Sequence, residues 1–281
     1  MNKYLMGLLA TALLMTGYSA SLQAAGSLLV TPTRIVFEQR DRSAQVTLVN
    51  QSDQTSNFRI SFIRQNMTED GEFLPVPEGQ EGLFSDSMIR YSPRQITLPP
   101  GQSQVIRLAL RRPADLTDGE YRSHMLFQAL PDPESSNVEK ITQQTSDGIT
   151  IELLPIIGVS IPVIVRQGEL SSEVSLSDAS LEAAEQSGAS PMIAVNINRR
   201  GNGSAYGDLR ATFTPEGGSP IVIAQANKIA VYANMPTRRF QMPLNLAGDV
   251  NLQNGAITLL FLESGADDEE SALARTRILL N

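Results

Sequence analysis

The sequence predicts an all-β protein built from two antiparallel β-sandwiches in tandem, preceded by a cleaved secretory signal peptide. Three observations lead to this fold class. Apolar and polar residues alternate with period 2 along most of the chain, turn-forming residues separate the alternating segments, and helical periodicity is hard to find. The chain has 281 residues, 41% of them hydrophobic, which is enough to bury a core in each of two domains.

Residues 1–25 have the composition of a signal peptide. Lys3 supplies a basic start, an apolar run occupies 4–15, and small residues gather at 19–21 and 24–26. The apolar run is too short for a membrane-spanning helix. We therefore expect cleavage after Ala24 or Ala25 and an exported mature chain that does not insert into the membrane.

Alternation is clearest in three segments of the first half, with apolar residues at 44, 46 and 48, at 58, 60 and 62, and at 106, 108 and 110. Short strands of this kind, separated by Asn, Asp, Pro and Gly, are typical of antiparallel sandwiches. In the second half, strands are expected at 191–198, 221–224, 229–232, 240–246, 256–262 and 274–280, the last two as a closing hairpin. Residues 179–186 are expected in a loop.

A domain boundary is expected at Arg166-Gln167, where a long apolar stretch ends and a new strand-rich pattern begins. The predicted domains are 26–166 and 167–281. Each is close in size to one immunoglobulin-like sandwich.

Composition argues against most enzyme chemistry. The chain has no Cys, one His (His124) and a net charge of −8. Thiol nucleophiles, cysteine-ligated metals and disulfides are excluded, and a single His leaves little room for a catalytic triad or a histidine metal site. No carboxylate pair stands out by spacing, so a secreted hydrolase is disfavoured. We expect no catalytic residue, no metal, no cofactor and no nucleic-acid partner. His124 is expected to be structural and hydrogen-bonded within its sandwich.

The segment 149–166 is the most informative part of the chain. Eight of its nine odd-numbered positions are aliphatic, which forms one long stripe if the segment is a single strand. A buried central strand is one interpretation. Pro155 and Pro162 oppose it, because proline cannot donate to a ladder and is confined to edges and bulges. The other interpretation is an edge strand kept exposed as a docking template for the missing strand of another protein.

Several stretches together resemble the periplasmic chaperones of the chaperone–usher pilus pathway, the PapD-like family. They are the Thr-Arg-apolar stretch at 33–37, the segment 46–51, the segment 91–102 with Val105-Ile106-Arg107, the Asp118-Gly119-Glu120 stretch, and 198–204 with Tyr232 and Arg238-Arg239. The resemblance covers nearly the whole mature chain through the order and spacing of these stretches.

The resemblance implies a boomerang of two immunoglobulin-like domains that binds pilus or fimbrial subunits in the periplasm by donor-strand complementation and delivers them to an outer-membrane usher. Its implied subunit-binding residues follow the odd stripe: Ile149, Ile151, Leu153, Ile157, Val159 and Ile161. An uncovered aliphatic edge also favours self-association.

The family anchors the C-terminal carboxylate of the subunit with an Arg and a Lys between the two domains. The Arg position matches Arg34, and the Lys position falls on Pro162. Arg34 alone, another arginine in place of the Lys, or no anchor are the three alternatives. The implied interdomain ion pair is Glu120 with Arg166, and its third partner is not assigned. The alternative function is an immunoglobulin-like structural or adhesion component of a surface assembly without chaperone activity, which the Pro162 substitution favours.

Overall fold

The structure, a computed structural model, describes residues 28–130, 158–183, 190–246 and 252–280, together with the backbone of 141–144 and 150–153. The predicted signal peptide at 1–25 lies outside the described residues, as do Ile149 and Ile157. The ordered elements of the described residues are β-strands and two short 3-10 helices, Asp86–Met88 and Glu269–Ser271. None of the described helices is long and apolar enough to cross a membrane.

The strands of the first half are β1 (Leu28–Thr31), β2 (Ile35–Phe37), β3 (Ser43–Asn50), β4 (Ser56–Ile63), β5 (Gln65–Met67), β6 (Phe73–Pro75), β7 (Ile89–Ser92), β8 (Gln95–Leu98), β9 (Ser103–Leu110), β10 (Gly119–Leu130), β11 (Ile141–Gln144), β12 (Thr150–Leu153) and β13 (Gly158–Gln167). Those of the second half are β14 (Glu173–Glu182), β15 (Met192–Arg200), β16 (Ala205–Pro215), β17 (Ile221–Val231), β18 (Thr237–Pro243), β19 (Gly255–Glu263) and β20 (Ala272–Leu280).

The first sandwich packs a four-stranded sheet, β1-β3-β9-β7, against a five-stranded sheet, β2-β13-β10-β4-β8. The alternating apolar residues point into the space between them. Leu48 and Ile106 come from the first sheet and Met125, Phe127 and Val163 from the second, and all belong to one buried cluster. Removing these side chains from water is the main favourable contribution to the stability of this sandwich.

The second sandwich packs β14-β15-β18 against β17-β16-β19-β20. Ile193 and Ile197 of the first sheet meet Phe213, Leu259 and Phe261 of the second in a separate buried cluster. The fold class predicted from period-2 alternation is therefore confirmed. The closing hairpin is also confirmed, because β19 and β20 pair antiparallel.

Residues 179–182, expected in a loop, belong to β14, so that prediction is wrong for them. The strand contains a register shift between Ser177 and Ser180, with Asp178 at φ 51°. The irregularity moves the half-buried apolar positions from 174 and 176 to 179 and 181, which breaks the period-2 pattern in the sequence.

The single strand expected over 149–166 is instead two strands in different sheets. β12 pairs with β11 in a two-stranded sheet, whereas β13 joins the five-stranded sheet between β2 and β10. Residues 154–157 lie outside the described residues. β2 runs parallel to β13 and covers only Val163 to Val165. Among the described residues, Gly158 to Pro162 thus have β10 on one side and no strand on the other.

Candidate functional site

The outer face of the five-stranded sheet forms the candidate site, because it is the face that meets the second sandwich. His124 pairs with Pro162 and Arg122 pairs with Ile164. Arg34 directly precedes Ile35, which pairs with Val163, so Arg34 reaches the row of Pro162. Period-2 geometry turns these side chains away from the core of the sandwich.

Ile164 joins the two sandwiches at the centre of this face. Its side chain is fully buried and packs in a small cluster with Ala230 and Tyr232 of the second sandwich. Val36 and Tyr206 pack against the same cluster. The apolar contact holds the second sandwich over the outer face of the sheet, so polar neighbours of Ile164 are removed from water.

Arg34 is the sequence-predicted anchor, and it lies at this interface. The carbon Cζ of its guanidinium stands 4.4 Å from the centroid of the Tyr206 ring, a cation–π geometry. Its Nη2 is buried and has no hydrogen-bond partner among the described residues. Burial lowers the pKa of Arg34, and the nearby Tyr232 and Glu120 oppose that shift.

Arg122 is a second buried cation that the sequence reasoning missed. Its Cζ lies 3.5 Å from the centroid of the Tyr232 ring, and Nη2 donates to the carbonyl oxygen of Gln65 at 3.3 Å. Nη1 is buried without a partner among the described residues. Burial lowers the pKa of Arg122, and the charge of Arg34 acts in the same direction.

Arg238 brings a third guanidinium to Tyr232 from the second sandwich. Its Nη1 donates to the carbonyl oxygen of Ala230 at 2.8 Å, while Nε is buried with no partner in the described part of the chain. Burial lowers the pKa of Arg238, and Tyr232 opposes the shift. We call Arg34, Arg122 and Arg238 the cleft arginines.

His124 adds no charge to this group at neutral pH. The residue is 2% exposed, and neither ring nitrogen has a hydrogen-bond partner among the described residues. Its ring meets the ring of Phe73 edge-on at 4.9 Å. Burial lowers the pKa of His124 to about 4, with a further contribution from Arg122. The expected hydrogen bond of His124 within its sandwich is therefore not found among the described residues, because the ring lies on the outer face of the sheet against Phe73.

Glu120 is a buried carboxylate at the interface. It bonds to Arg166 and Ser204 and not to the cleft arginines. Its Oε2 lies 3.3 Å from Nε of Arg166, and Arg166 Nη1 lies 2.9 Å from Oε1 of Glu38. Ser204 of the second sandwich donates its backbone N–H to Glu120 Oε2 at 3.2 Å and its hydroxyl to Oε1. The contact made across the interface is therefore to a neutral serine, which charge patterns in the sequence do not reveal.

A cavity of about 490 Å³ opens beside Arg122. Leu83, Phe84 and Tyr232 supply its apolar lining, and Glu81 and Asp118 bring carboxylates to it. The acidic lining makes this side of Arg122 unfavourable for the approach of an anion.

The structure divides the predicted aliphatic stripe. Ile151 and Leu153 lie on β12, whereas Ile161 lies on β13 and is 2% exposed in the core of its own sandwich. Val159 is half-buried and packs against the same core. The prediction of an exposed stripe is thus corrected at Ile161, because β13 turns its odd positions inward where β10 pairs with it. Ile149 and Ile157 lie outside the described residues.

A signal for Arg122 was present in the sequence. Glu120, Arg122 and His124 occupy alternate positions of one strand, while Tyr121, Met125 and other buried neighbours face the core. A row of polar residues opposite a core row marks a face that meets something other than the core. What the pattern does not give is the partner, Tyr232, which lies far along the chain.

No protein-family profile and no curated protein matches the chain. Among solved structures, it is similar to the YadV chaperone, with 12% identity, a TM-score of 0.44, and coverage of 90% of this chain and 100% of that one. The E. coli chaperone DraB shows 12% identity, a TM-score of 0.42, and coverage of 91% and 97%. The Salmonella enterica SafB chaperone in complex with the SafA pilin shows 16% identity, a TM-score of 0.40, and coverage of 90% and 96%. Likeness at this level does not by itself assign a function.

Proposed function

We propose that the chain is a periplasmic, PapD-like chaperone that binds pilus or fimbrial subunits by donor-strand complementation and hands them to an outer-membrane usher. The observation that carries the proposal is the open edge of β13. Gly158 to Pro162 offer their backbone on the side where, from Val163 onward, β2 is paired. A free strand edge of this kind is a template for the strand of another protein.

The direction of β2 supports a specific way of docking. β2 runs parallel to β13 and begins at Ile35, opposite Val163. A partner strand that extends this ladder in the same direction ends against Arg34. Its last residue would then bring a terminal carboxylate to a guanidinium whose Nη2 has no partner among the described residues. A charge-assisted bond to arginine satisfies a desolvated carboxylate.

Backbone hydrogen bonds along the edge would give an affinity that tolerates different partner sequences. Specificity would come from alternate aliphatic side chains that fill pockets of the subunit. We assign this role to Ile149, Ile151, Leu153 and Ile157. Burying each such side chain would contribute about 1.5–3 kcal/mol. The proposed role of Glu120 and Arg166 is to hold the two sandwiches at the angle that keeps Arg34 near the edge.

The experiment is a pull-down from the periplasm of the native host with tagged mature protein. Ile157→Asp should abolish capture of a small β-rich subunit while the variant stays folded by circular dichroism. Ser160→Asp is the matched control, because Ser160 is exposed and lies in the opposite phase of the strand, and it should retain capture. Arg34→Gln should weaken capture, which tests the anchor separately.

A folded Ile157→Asp variant that captures the same subunit would contradict donor-strand complementation. If wild type captures no subunit at all, the structural or adhesion component becomes the better assignment. Catalysis has no part in the proposal, since binding alone accounts for the function.

A further inference from the structure

The hairpin formed by β5 and β6 lies between the second sandwich and the outer face of the first. It consists of three pairs, from Gln65 with Pro75 to Met67 with Phe73. A two-stranded hairpin is marginally stable on its own in water. Its position therefore depends on what it contacts.

The hairpin contacts both the outer face of the five-stranded sheet and the second sandwich. Phe73 meets the rings of His124 at 4.9 Å and Tyr232 at 6.2 Å, and Asn234 donates its side-chain amide to Asn66 at 3.0 Å. The backbone N–H of Arg239 donates to the carbonyl oxygen of Glu69 at 2.7 Å. Together with the bond from Arg122 to Gln65, these contacts place the hairpin over Arg122 and beside Arg238.

The turn of the hairpin is acidic and lies against arginines. It contains Glu69, Asp70 and Glu72. Asp70 lines one depression of the surface with Arg238 and Arg239, and a Cβ atom at Gly71 would stand 2.7 Å from Nη2 of Arg238. The opposite charges are near one another without a direct ion pair among the described residues, so their attraction is long-range and salt should weaken it.

The three cleft arginines are only partly satisfied by hydrogen bonds among the described residues. Each of the three has one buried nitrogen without a partner among the described residues: Nη2 of Arg34, Nη1 of Arg122 and Nε of Arg238. The adjacent carboxylate, Glu120, is bonded to Arg166 and Ser204. Buried cationic groups left unpaired are unfavourable, and an anion placed among them would relieve that cost.

We propose that Arg122 and Arg238 extend the proposed anchor Arg34 into a larger carboxylate-binding site, and that the β5–β6 hairpin is a removable cap over Arg122, which must lift before the carboxylate reaches that residue. The inference rests on the proposed function for the source of the carboxylate, the end of a captured chain. Arg34 is then the first cation of the site and Arg122 the second. Arg122 lies on β10, whereas the position at which the resembling family has its Lys is Pro162 on β13.

The first test locks the cap. The chain has no Cys, so Asn66→Cys combined with Asn234→Cys introduces the only two thiols, at side chains that touch across the interface. Citrate binding is measured by calorimetry at constant ionic strength, on the same protein oxidised and reduced. The oxidised protein should bind at least about tenfold more weakly than the reduced one, because apparent affinity follows the fraction of open molecules. Equal affinity in the two states would overturn the role of the hairpin as a cap.

The second test loosens the cap. Phe73→Ser removes the ring that lies on His124 and Tyr232 and should tighten citrate binding about threefold or more. Leu74→Ser is the matched control, since Leu74 is the neighbouring residue and is 53% exposed, and it should leave the affinity unchanged. Arg122→Gln in the Phe73→Ser background should remove binding. Absence of citrate binding by Phe73→Ser itself, in a protein that melts cooperatively, would overturn the anion site.

The source of the carboxylate is tested with a ten-residue peptide of alternating Val and Thr, compared as free acid and as C-terminal amide. Stronger binding of the free acid, lost in Arg122→Gln, supports a chain terminus as the ligand. Binding of citrate with no difference between the peptides overturns that assignment. Citrate binding does not require the β13 edge. The citrate experiments can therefore contradict the capped site without contradicting the proposed function, and the pull-down can contradict the proposed function without contradicting the capped site.

Discussion

The guanidinium carbon of Arg122 lies 3.5 Å from the centroid of the Tyr232 ring, and this contact joins strand β10 of the first sandwich to the second sandwich. Both residues are buried. A cation–π contact that is removed from water is stronger than one at the surface. The pair therefore links the stability of the interface to the cationic site that it lines.

A double-mutant cycle with Arg122→Met and Tyr232→Leu should give a coupling free energy of about 1–2 kcal/mol in urea unfolding. The matched control is the exposed Arg94 with the half-buried Tyr91, whose Cζ-to-centroid distance is 5.2 Å. Its coupling should be about 0.5 kcal/mol or less, because solvent screens the charge. Equal coupling in the two cycles would contradict a desolvated contact at Tyr232.

Stability should fall as pH decreases from about 6.5 to about 4, through the buried His124. In the unfolded chain His124 is protonated near its ordinary pKa of 6.5, whereas burial lowers its pKa in the folded protein to about 4. Acid therefore favours the unfolded state over this window, and the effect is of the order of 3 kcal/mol. The measurement is the urea midpoint at several pH values for wild type and His124→Leu. The variant should lose this part of the pH dependence, and an unchanged pH profile would rule out His124 as its source.

Glu120→Gln should lower the free energy of unfolding by about 1–3 kcal/mol, because it weakens the bond to Arg166 within the first sandwich and the bonds to Ser204 across the interface. Limited proteolysis of the connection at 168–172 should also become faster. Glu269→Gln is the control, since its salt bridge with Arg275 is exposed on both sides, and its effect should stay within about 0.5 kcal/mol. If Glu120→Gln behaves like this control, the bonds to Glu120 do not hold the interface.

Ile161→Ala should destabilise the first sandwich by about 2–4 kcal/mol, because the side chain is fully packed in the core and its removal leaves a cavity. Ser160→Ala, at the exposed neighbouring position, should change stability by no more than about 0.5 kcal/mol. Chemical denaturation of the purified variants measures both. An Ile161→Ala protein as stable as wild type would contradict the core position of Ile161 and favour the exposed stripe predicted from the sequence.

The mature N-terminus should begin at Ala25 or Gly26 when the protein is expressed with its leader in a bacterium that exports proteins. Intact mass spectrometry of the periplasmic fraction measures this directly. The expected mass lacks Lys3 and the apolar run at 4–15. Recovery of the full-length mass in the membrane fraction would contradict cleavage.

Local pattern was sufficient for most of the strands and insufficient where a strand is irregular. Period-2 alternation identified β3, β4 and β9 because each keeps one face on a continuous core. It failed at β14, where the irregularity at Asp178 shifts the phase. The same pattern at 149–166 could not distinguish a stripe that faces a partner from one that faces its own core, since both need alternate aliphatic residues.

The candidate site was also predicted only in part from the sequence. Arg34 was predicted as an anchor from its place in a resembling motif, and the structure places it at the interface. Arg122 and Phe73 were missed because their importance comes from Tyr232, which belongs to the other sandwich. The third contact of Glu120 was missed because Ser204 carries no charge.

The sequence by itself determined the all-β class and the positions of most strands, because alternation and turn residues act over a few neighbouring positions. It also excluded thiol chemistry through composition alone. The tertiary structure decided which face of each strand is covered, which arginines meet around Tyr232 and which nitrogens remain unpaired among the described residues. These properties depend on contacts between residues more than 100 positions apart, such as Arg122 with Tyr232, and period-2 alternation carries no information about such distant partners.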